Sequence, residues 1–541
     1  MSKKMEQDAP QSPASRGKNA VPGCAGFVMT AIFLACAMPL ILSDNLLGRA
    51  AFDQLHYHEP AIRKFAAEWP RPDLSDYRSA TTPGYHLLLA AVSRYVSESG
   101  RVLQLAGALF TAGLLALCAF AAARIARGVV GKRTAAAWGV LLTLPLLASI
   151  YVFFPGVWLV PDNLGWLLVL GIGLVSWQLA GRAEGRGGGS AGFVLAAALL
   201  LGVVLVRQSH VWCAALIWLG AWIGAAPIGD GGIMGLLSQF WMRVRALVSA
   251  AAATLPAAIA LAYFAKLWGG LTPPTFAFQY GSVINGAAPA FILALVGAFS
   301  AFFAGFVGPA AWRVLRDRPA GLAIAMLAAV VVCAIPETTY VHEQRSTGLW
   351  NLVRIAPVIG GHTSVILLVM APLGAWAVWA WFAALGARAR WFFVGTLAAF
   401  AAAQTANPLC WQRYIEPLLI MMMGLGAASI MASTARTDPG EARGIERLLR
   451  HAAPFARRAG PLALAFLLGL ITVRGLVNPD VPWNTEIGPD GRRRVVGGVL
   501  VIPGVRMEEQ EHRIAPFKTP GKGEPPARPD PQTAPSAPND R

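Results

Sequence analysis

The chain has 541 residues, of which 56% are hydrophobic and only 13% charged, with a formal net charge of +17. A soluble domain carries about a quarter charged residues, and so few charges cannot cover this much apolar surface in water, which excludes an ordinary soluble protein. The apolar residues fall in blocks of about twenty, the helix length that crosses about 30 Å of hydrocarbon, and a dozen such blocks exclude a lone signal peptide.

The excess of Lys and Arg is read as the positive-inside bias of cytoplasmic loops, not as a nucleic-acid surface. The cysteines Cys24, Cys36, Cys118, Cys213, Cys333 and Cys410 lie mostly in apolar stretches without CxxC spacing. Neither a disulfide framework nor a metal site is expected from them. Richness in Ala, Gly and Arg is the mark of a GC-rich genome and points to a bacterial inner membrane.

Residues 1–22 are polar, carry Lys3, Lys4, Arg16 and Lys18, and are expected to be disordered and cytoplasmic. Residues 23–476 hold a transmembrane domain of about thirteen spans, centred roughly on residues 33, 113, 144, 172, 199, 218, 255, 301, 328, 372, 398, 423 and 468. Residues 477–541 are rich in Pro and charge, end in PPARPDPQTAPSAPNDR, and read as an extracytoplasmic tail unstructured at its end. The expected fold is therefore an all-α polytopic membrane protein.

One apolar run decides the topology. Tyr85 to Val96 is about a dozen residues, too short to span and interrupted by Arg94. If it lies at the surface, Arg124–Arg133, Arg182–Arg186, Arg243–Arg245, Arg313–Arg318, Arg388–Arg390 and Arg436–Arg458 all fall inside with the N-terminus. The outer loops are then 44–101, 154–162, 207–210, 265–288, 337–360 and 407–413.

The first outer loop, 44–101, is the longest and most polar. It contains EPAIRKFAAEW, in which Pro60 suits a first helical position. Ile62, Phe65, Ala66 and Trp69 recur at helical spacing, with Arg63, Lys64 and Glu68 opposite. Such a helix is expected to lie along the membrane surface.

Five groups in these loops are candidates for chemistry, each weighed against a solvated or structural role. Asp53 follows the first span by about ten residues, where a carboxylate near the membrane suits a general base, a solvated loop position or a helix cap. Asp162 opens a span and reads as an N-cap, a functional acid, or both. Arg207, Gln208 and His210 form a polar turn between adjacent spans. An Arg at membrane depth costs about 2.5 kcal/mol or more, so it snorkels or binds a partner such as a lipid phosphate. Glu337, His342, Glu343, Arg345 and Arg354 share a later loop. Arg413 and Glu416 open a late span and could pair with each other or with a headgroup. No phosphate-cradling Gly-rich loop, HExxH, GxSxG or Walker pattern stands out, so ATP-driven transport is not expected.

The stretch DQLHYHEPAIRKFAAEWPRPDLSDYRSATTPGYH, Asp53 to His86, resembles the first luminal loop of the dolichyl-phosphate-glucose-dependent α-1,2-glucosyltransferase family. That family shows an acidic pair and a His after its first span, a surface helix, and a Trp-Asp segment running into Thr-Thr-Pro-Pro-Gly-Leu-Tyr. Here stand Asp53, His56 or His58, Trp69, Asp76 and Thr81-Thr82-Pro83-Gly84-Tyr85, with Gln54 in place of the second acid. Arg207-Gln208 is similar to the family's Arg-Gln-Thr-Asn turn, Arg413-Tyr414 to its late Arg-Tyr, and Asp162 to an Asp beside an aromatic span.

The resemblance implies a C-superfamily fold and transfer of a hexose, glucose favoured, from a polyprenyl-phosphate donor. The acceptor would be a lipid-linked or cell-envelope glycan on the extracytoplasmic face. It further implies an inverting displacement, with Asp53 as base and Asp162, His56 and His58 beside it. Arg207, Gln208, Arg345 and Arg413 would hold the donor phosphate, and His210, Asp76, Thr82 and Tyr85 would position loop or acceptor. No metal or other cofactor is implied. The competing readings are a lipid-linked-sugar flippase or other transporter, and a polysaccharide polymerase or ligase.

Overall fold

The structure is a computed structural model of the whole chain. It describes residues 20–43, 49–182, 189–228, 233–279, 284–336, 348–361, 363–407, 409–434, 444–477, 485–487 and 493–495. The chain divides into Met1–Val481 and Pro482–Arg541. The described part of the second unit is one antiparallel pair, Thr485–Ile487 with Arg493–Val495. Most of the first and last segments lies outside the described residues.

The first unit is helical. In order it runs α1 (Ala20–Leu42), α2 (Arg49–Asp53), α3 (Glu59–Ala67), α4 (Gly84–Tyr95), α5 (Gly100–Ala126), α6 (Lys132–Ala148) and α7 (Ile150–Val157). Next come α8 (Asp162–Ala180), α9 (Ser190–Val206), α10 (Ala214–Gly224), α11 (Ile233–Leu237), α12 (Phe240–Trp268), α13 (Ala288–Phe302) and α14 (Ala304–Asp317). Last are α15 (Pro319–Ala334), α16 (Leu349–Ile355), α17 (Val365–Ala384), α18 (Ala387–Thr405), α19 (Glu416–Thr434) and α20 (Ile445–Val477).

Among the described residues, seven helices are long and apolar enough to cross a membrane: those of α1, α5, α8, α12, α17, α19 and α20. Counting the bent pairs α6–α7 and α13–α14 as one span each brings the number to nine. Each of the thirteen apolar blocks is helical, but four others differ from a full span. α9 and α15 have 17 and 16 residues. α10 has 11, and α18 begins with Arg388 and Arg390. Hydropathy counts apolar residues and is blind to bends. The block near 301 turns by 113° at Phe303, and the block near 144 turns by 76° at Ser149, whose hydroxyl accepts the Tyr151 N–H to start α7.

The helices pack through small residues, as membrane helices do where no hydrophobic effect draws them together. Gly220 and Gly224 put one face of α10 so close to α8 that a Cβ on either would run into the backbone of Ser176 or Leu179.

The described part of the first loop, 49–101, packs as a layer on one end of the bundle. Ile62 and Phe65 of α3, Tyr77, and Tyr85 and Leu89 of α4 form a second apolar cluster with Leu103 of α5, Leu159, Leu164 of α8, Val206, and Phe264 and Trp268 of α12. The indole of Trp268 donates to the Leu74 carbonyl at 2.7 Å. The apolar face of α3, expected to rest on lipid, is instead filled by protein: Ile62 and Phe65 have no exposed surface. The short run after Thr81-Thr82-Pro83 is α4, of 12 residues.

Candidate active site

Four of the charged residues picked out along the sequence meet at this end of the bundle. Asp53 closes α2. Asp162 is the first residue of α8. Arg207 links α9 to a 3₁₀ turn, Gln208–Cys213, and Arg413 lies in a second 3₁₀ turn, Gln412–Tyr414, before α19.

They form a continuous chain. Arg413 Nη1 donates to Asp53 Oδ2 at 3.3 Å, and its Nη2 donates to the Tyr414 hydroxyl at 2.8 Å. The Arg413 guanidinium stands 4.4 Å from the Trp411 ring centre and 4.9 Å from that of Tyr414. Arg207 stands 4.3 Å from the Tyr414 ring centre and pairs with Asp162. Tyr414 thus bridges two cation–carboxylate pairs, each cation held against its electron-rich face.

The two pairs differ in access. The Asp162 and Arg207 side chains are 6% and 10% exposed, whereas those of Asp53 and Arg413 are 25% and 32% exposed. The inner pair is buried, and the outer pair is partly exposed. Asp162 is not the N-cap of α8; that position is Pro161, which makes no side-chain capping bond. The Asp162 charge instead sits in the first turn, where the helix dipole favours an anion, and answers Arg207.

The histidines sit behind the charges. A π-turn, Gln54–His58, continues α2 and turns His58 inward. His58 Nδ1 meets His86 Nε2 of α4 at 3.0 Å, the rings stacked. Burial first, then the positive charges of Arg413 and Arg207, push the His58 pKa down to about 3, so its imidazole is neutral. His56 lies against Phe52, the ring centres 4.2 Å apart and the planes tilted by 39°, and burial followed by Arg78 lowers its pKa as well. His210 is buried against Trp166 of α8, with centroids 4.9 Å apart.

Other predicted residues hold the loop. Gln208 accepts the Thr82 N–H at 3.0 Å and donates to the carbonyls of Ala80 at 2.8 Å and Leu271 at 2.9 Å. With its amide engaged by backbone on three sides, it stitches the Thr-Thr-Pro-Gly segment down instead of facing a phosphate. Thr82 Oγ1 donates to the Val204 carbonyl at 2.6 Å. Asp76 accepts from Thr275 Oγ1 at 2.7 Å, and Tyr85 is 1% exposed in the apolar cluster. Arg345, with Glu337, His342 and Glu343, lies outside the described residues.

Sequence reasoning missed several members. Gln54 accepts the Leu159 N–H at 3.1 Å and donates to Glu59 at 3.1 Å, tying the Asp53 turn to the entry of α8. A carboxylate could not make both bonds, which accounts for an amide at this position. Glu416 does not pair with Arg413. It is buried and accepts from Ser149 Oγ at 2.5 Å and Gln412 Nε2 at 2.6 Å, tying α19 to the bend before α7. Tyr414 was singled out beside Arg413, but Trp411 was not; its one available signal was a second aromatic residue flanking that Arg. Among the described residues no three His, Cys, Asp or Glu come together as metal ligands. No family model, curated protein or solved structure matches this chain.

Proposed function

We propose that this protein is a membrane glycosyltransferase that moves a hexose, glucose favoured, from a polyprenyl-phosphate donor to a glycan acceptor on the extracytoplasmic face. The observation that carries the reading is the outer pair: a partly exposed carboxylate beside a partly exposed guanidinium, backed by a buried second pair. The resemblance of 53–86 to a luminal transferase loop supports it independently.

Asp53 takes the proton from the acceptor hydroxyl as its oxygen bonds to the anomeric carbon. The bond from that carbon to the phosphate oxygen breaks on the opposite side, which inverts the configuration. The phosphate monoester leaves with the bond pair, and its growing negative charge meets Arg413. Arg413 ranks first for this task because it is open. Arg207, already paired with Asp162, holds the inner wall. Neutral His58 and His86 back the Asp53 turn.

The test is turnover of radiolabelled polyprenyl-phosphate glucose, mannose or arabinose by purified protein. Asp53→Asn is expected to abolish sugar consumption with the fold intact, and near-normal turnover by that variant overturns the assignment. Movement of the lipid-linked sugar across a vesicle membrane without consumption would establish a flippase instead.

A further inference from the structure

The two ion pairs of the candidate site cancel in charge, since Asp53 answers Arg413 and Asp162 answers Arg207. A phosphate-linked substrate adds negative charge that these pairs leave unanswered. Once its ester bond to the sugar breaks, a phosphate monoester carries about −1.5 to −2 at neutral pH.

Arg78 supplies a further cation. It stands at the tip of a three-residue turn, in which the Tyr77 carbonyl accepts the Ser79 N–H at 2.8 Å. Its neighbours are all held. Asp76 accepts from Thr275 Oγ1 at 2.7 Å and from the Thr275 N–H at 3.1 Å. Tyr77 and Ser79 are buried, and Ser79 Oγ meets Thr81 Oγ1 at 3.0 Å. Arg78 itself is half-buried and makes no hydrogen bond or ion pair among the described residues.

Two bridges set this turn against the one that carries Asp53. Phe276, the residue after Thr275, packs edge-on against Tyr57 with ring centres 5.4 Å apart. The Tyr77 ring lies 5.8 Å from that of His86, whose Nε2 meets His58 Nδ1 at 3.0 Å. Tyr57 and Asp53 are four apart on one helical stretch and so share a face. The electrostatics agree. Burial raises the Tyr57 pKa and Asp53 adds to the rise, while the positive charge of Arg78 opposes it.

We infer that Arg78 is a second phosphate-binding residue of this site, holding the phosphate of a polyprenyl-phosphate lipid together with Arg413. The lipid class rests on the transferase reading; the need for a further cation comes from the cancelled pairs. A guanidinium grips phosphate by two parallel hydrogen bonds, which a paired and stacked Arg413 is less free to offer alone.

The experiment measures binding of undecaprenyl phosphate and of undecaprenol to the full chain by native mass spectrometry, beside the donor KM in the turnover assay. Arg78→Gln is expected to weaken undecaprenyl phosphate about tenfold, about 1.4 kcal/mol, and to leave undecaprenol unchanged. Arg78→Lys restores part of the loss, and inorganic phosphate at equal concentration does not displace the lipid. Should Arg78→Gln fail to fold, Arg78→Ser, a residue suited to turns, gives the same comparison. Unchanged undecaprenyl phosphate binding, an equal loss of undecaprenol, or displacement by inorganic phosphate would each overturn the inference. The two readings fail separately. An Arg78 effect on binding in a protein that consumes no sugar refutes the transferase and keeps the phosphate site. Sugar transfer with binding and donor KM unmoved in Arg78→Gln refutes the site alone.

Discussion

Two ion pairs of the same chemistry stand side by side, and their surroundings give them different work. Removing the Asp162 charge leaves buried Arg207 without that carboxylate, and breaking a buried pair on one side costs about 3–5 kcal/mol. Asp162→Asn is therefore expected to lower the thermal midpoint in detergent strongly, and the double change with Arg207→Gln to recover part of the loss. Asp53→Asn breaks a partly exposed pair, worth about 1 kcal/mol or less, and is expected to leave the midpoint nearly unmoved. Arg413→Gln is expected to cut turnover by about 10²–10³-fold, the usual effect of deleting one group that meets developing charge. Steady-state assays on the two variants check this contrast. His58 adds a pH dependence. Its folded pKa of about 3 lies below the ordinary 6.5, so the unfolded chain takes up the proton first. The contribution is complete above pH 6.5 and is lost as pH falls toward 3, by about 1.4 kcal/mol per unit. Melting curves between pH 7 and 5 are expected to fall less steeply for His58→Gln than for the unaltered protein.

At the scale of elements, the first loop works because it is packed as a layer. Its helix α3 has the alternation of a surface helix, but the apolar side meets Tyr77 and α4 rather than lipid. That layer is pinned where Gly84 opens α4: a Cβ there would lie 2.6 Å from the Leu205 carbonyl oxygen at the end of α9. Gly84→Val is expected to push α4 off α9, lowering both the thermal midpoint and turnover, with Gly84→Ala intermediate. Parallel melting and assay of the two variants test the order. The Thr82 and Gln208 bonds close the same seam. A glycine in a Thr-Thr-Pro-Gly run reads locally as a turn; its need for space comes from a helix that ends about 120 residues later.

At the scale of the whole molecule, the helix inventory supports a multi-pass membrane protein, with seven to nine candidate spans among the described residues. We propose the larger arrangement of thirteen crossings, in which the short and bent helices also traverse. An odd number of crossings puts the two termini on opposite sides. Reporters fused ahead of residue 1 and after residue 541 are expected to register cytoplasmic and extracytoplasmic positions respectively. Same-side signals would overturn the odd count. In this arrangement the Asp53–Arg413 end faces outward.

The membrane class, the helical blocks and each charged member of the candidate site were legible in the sequence, because hydrocarbon penalises charge and makes an Asp or Arg at the end of an apolar block conspicuous. The length and amphipathic spacing of α3 were legible for the same local reason. The pairing was not. Asp53 and Arg413 lie 360 positions apart, and Asp162 and Arg207 45 apart, and no periodicity joins them. Only the packed bundle decided that one pair is buried and the other open, that Tyr414 bridges them, and that Gln208 holds backbone. Local pattern records the solvent that each segment meets; which segments meet one another is set by the packing of all the helices together.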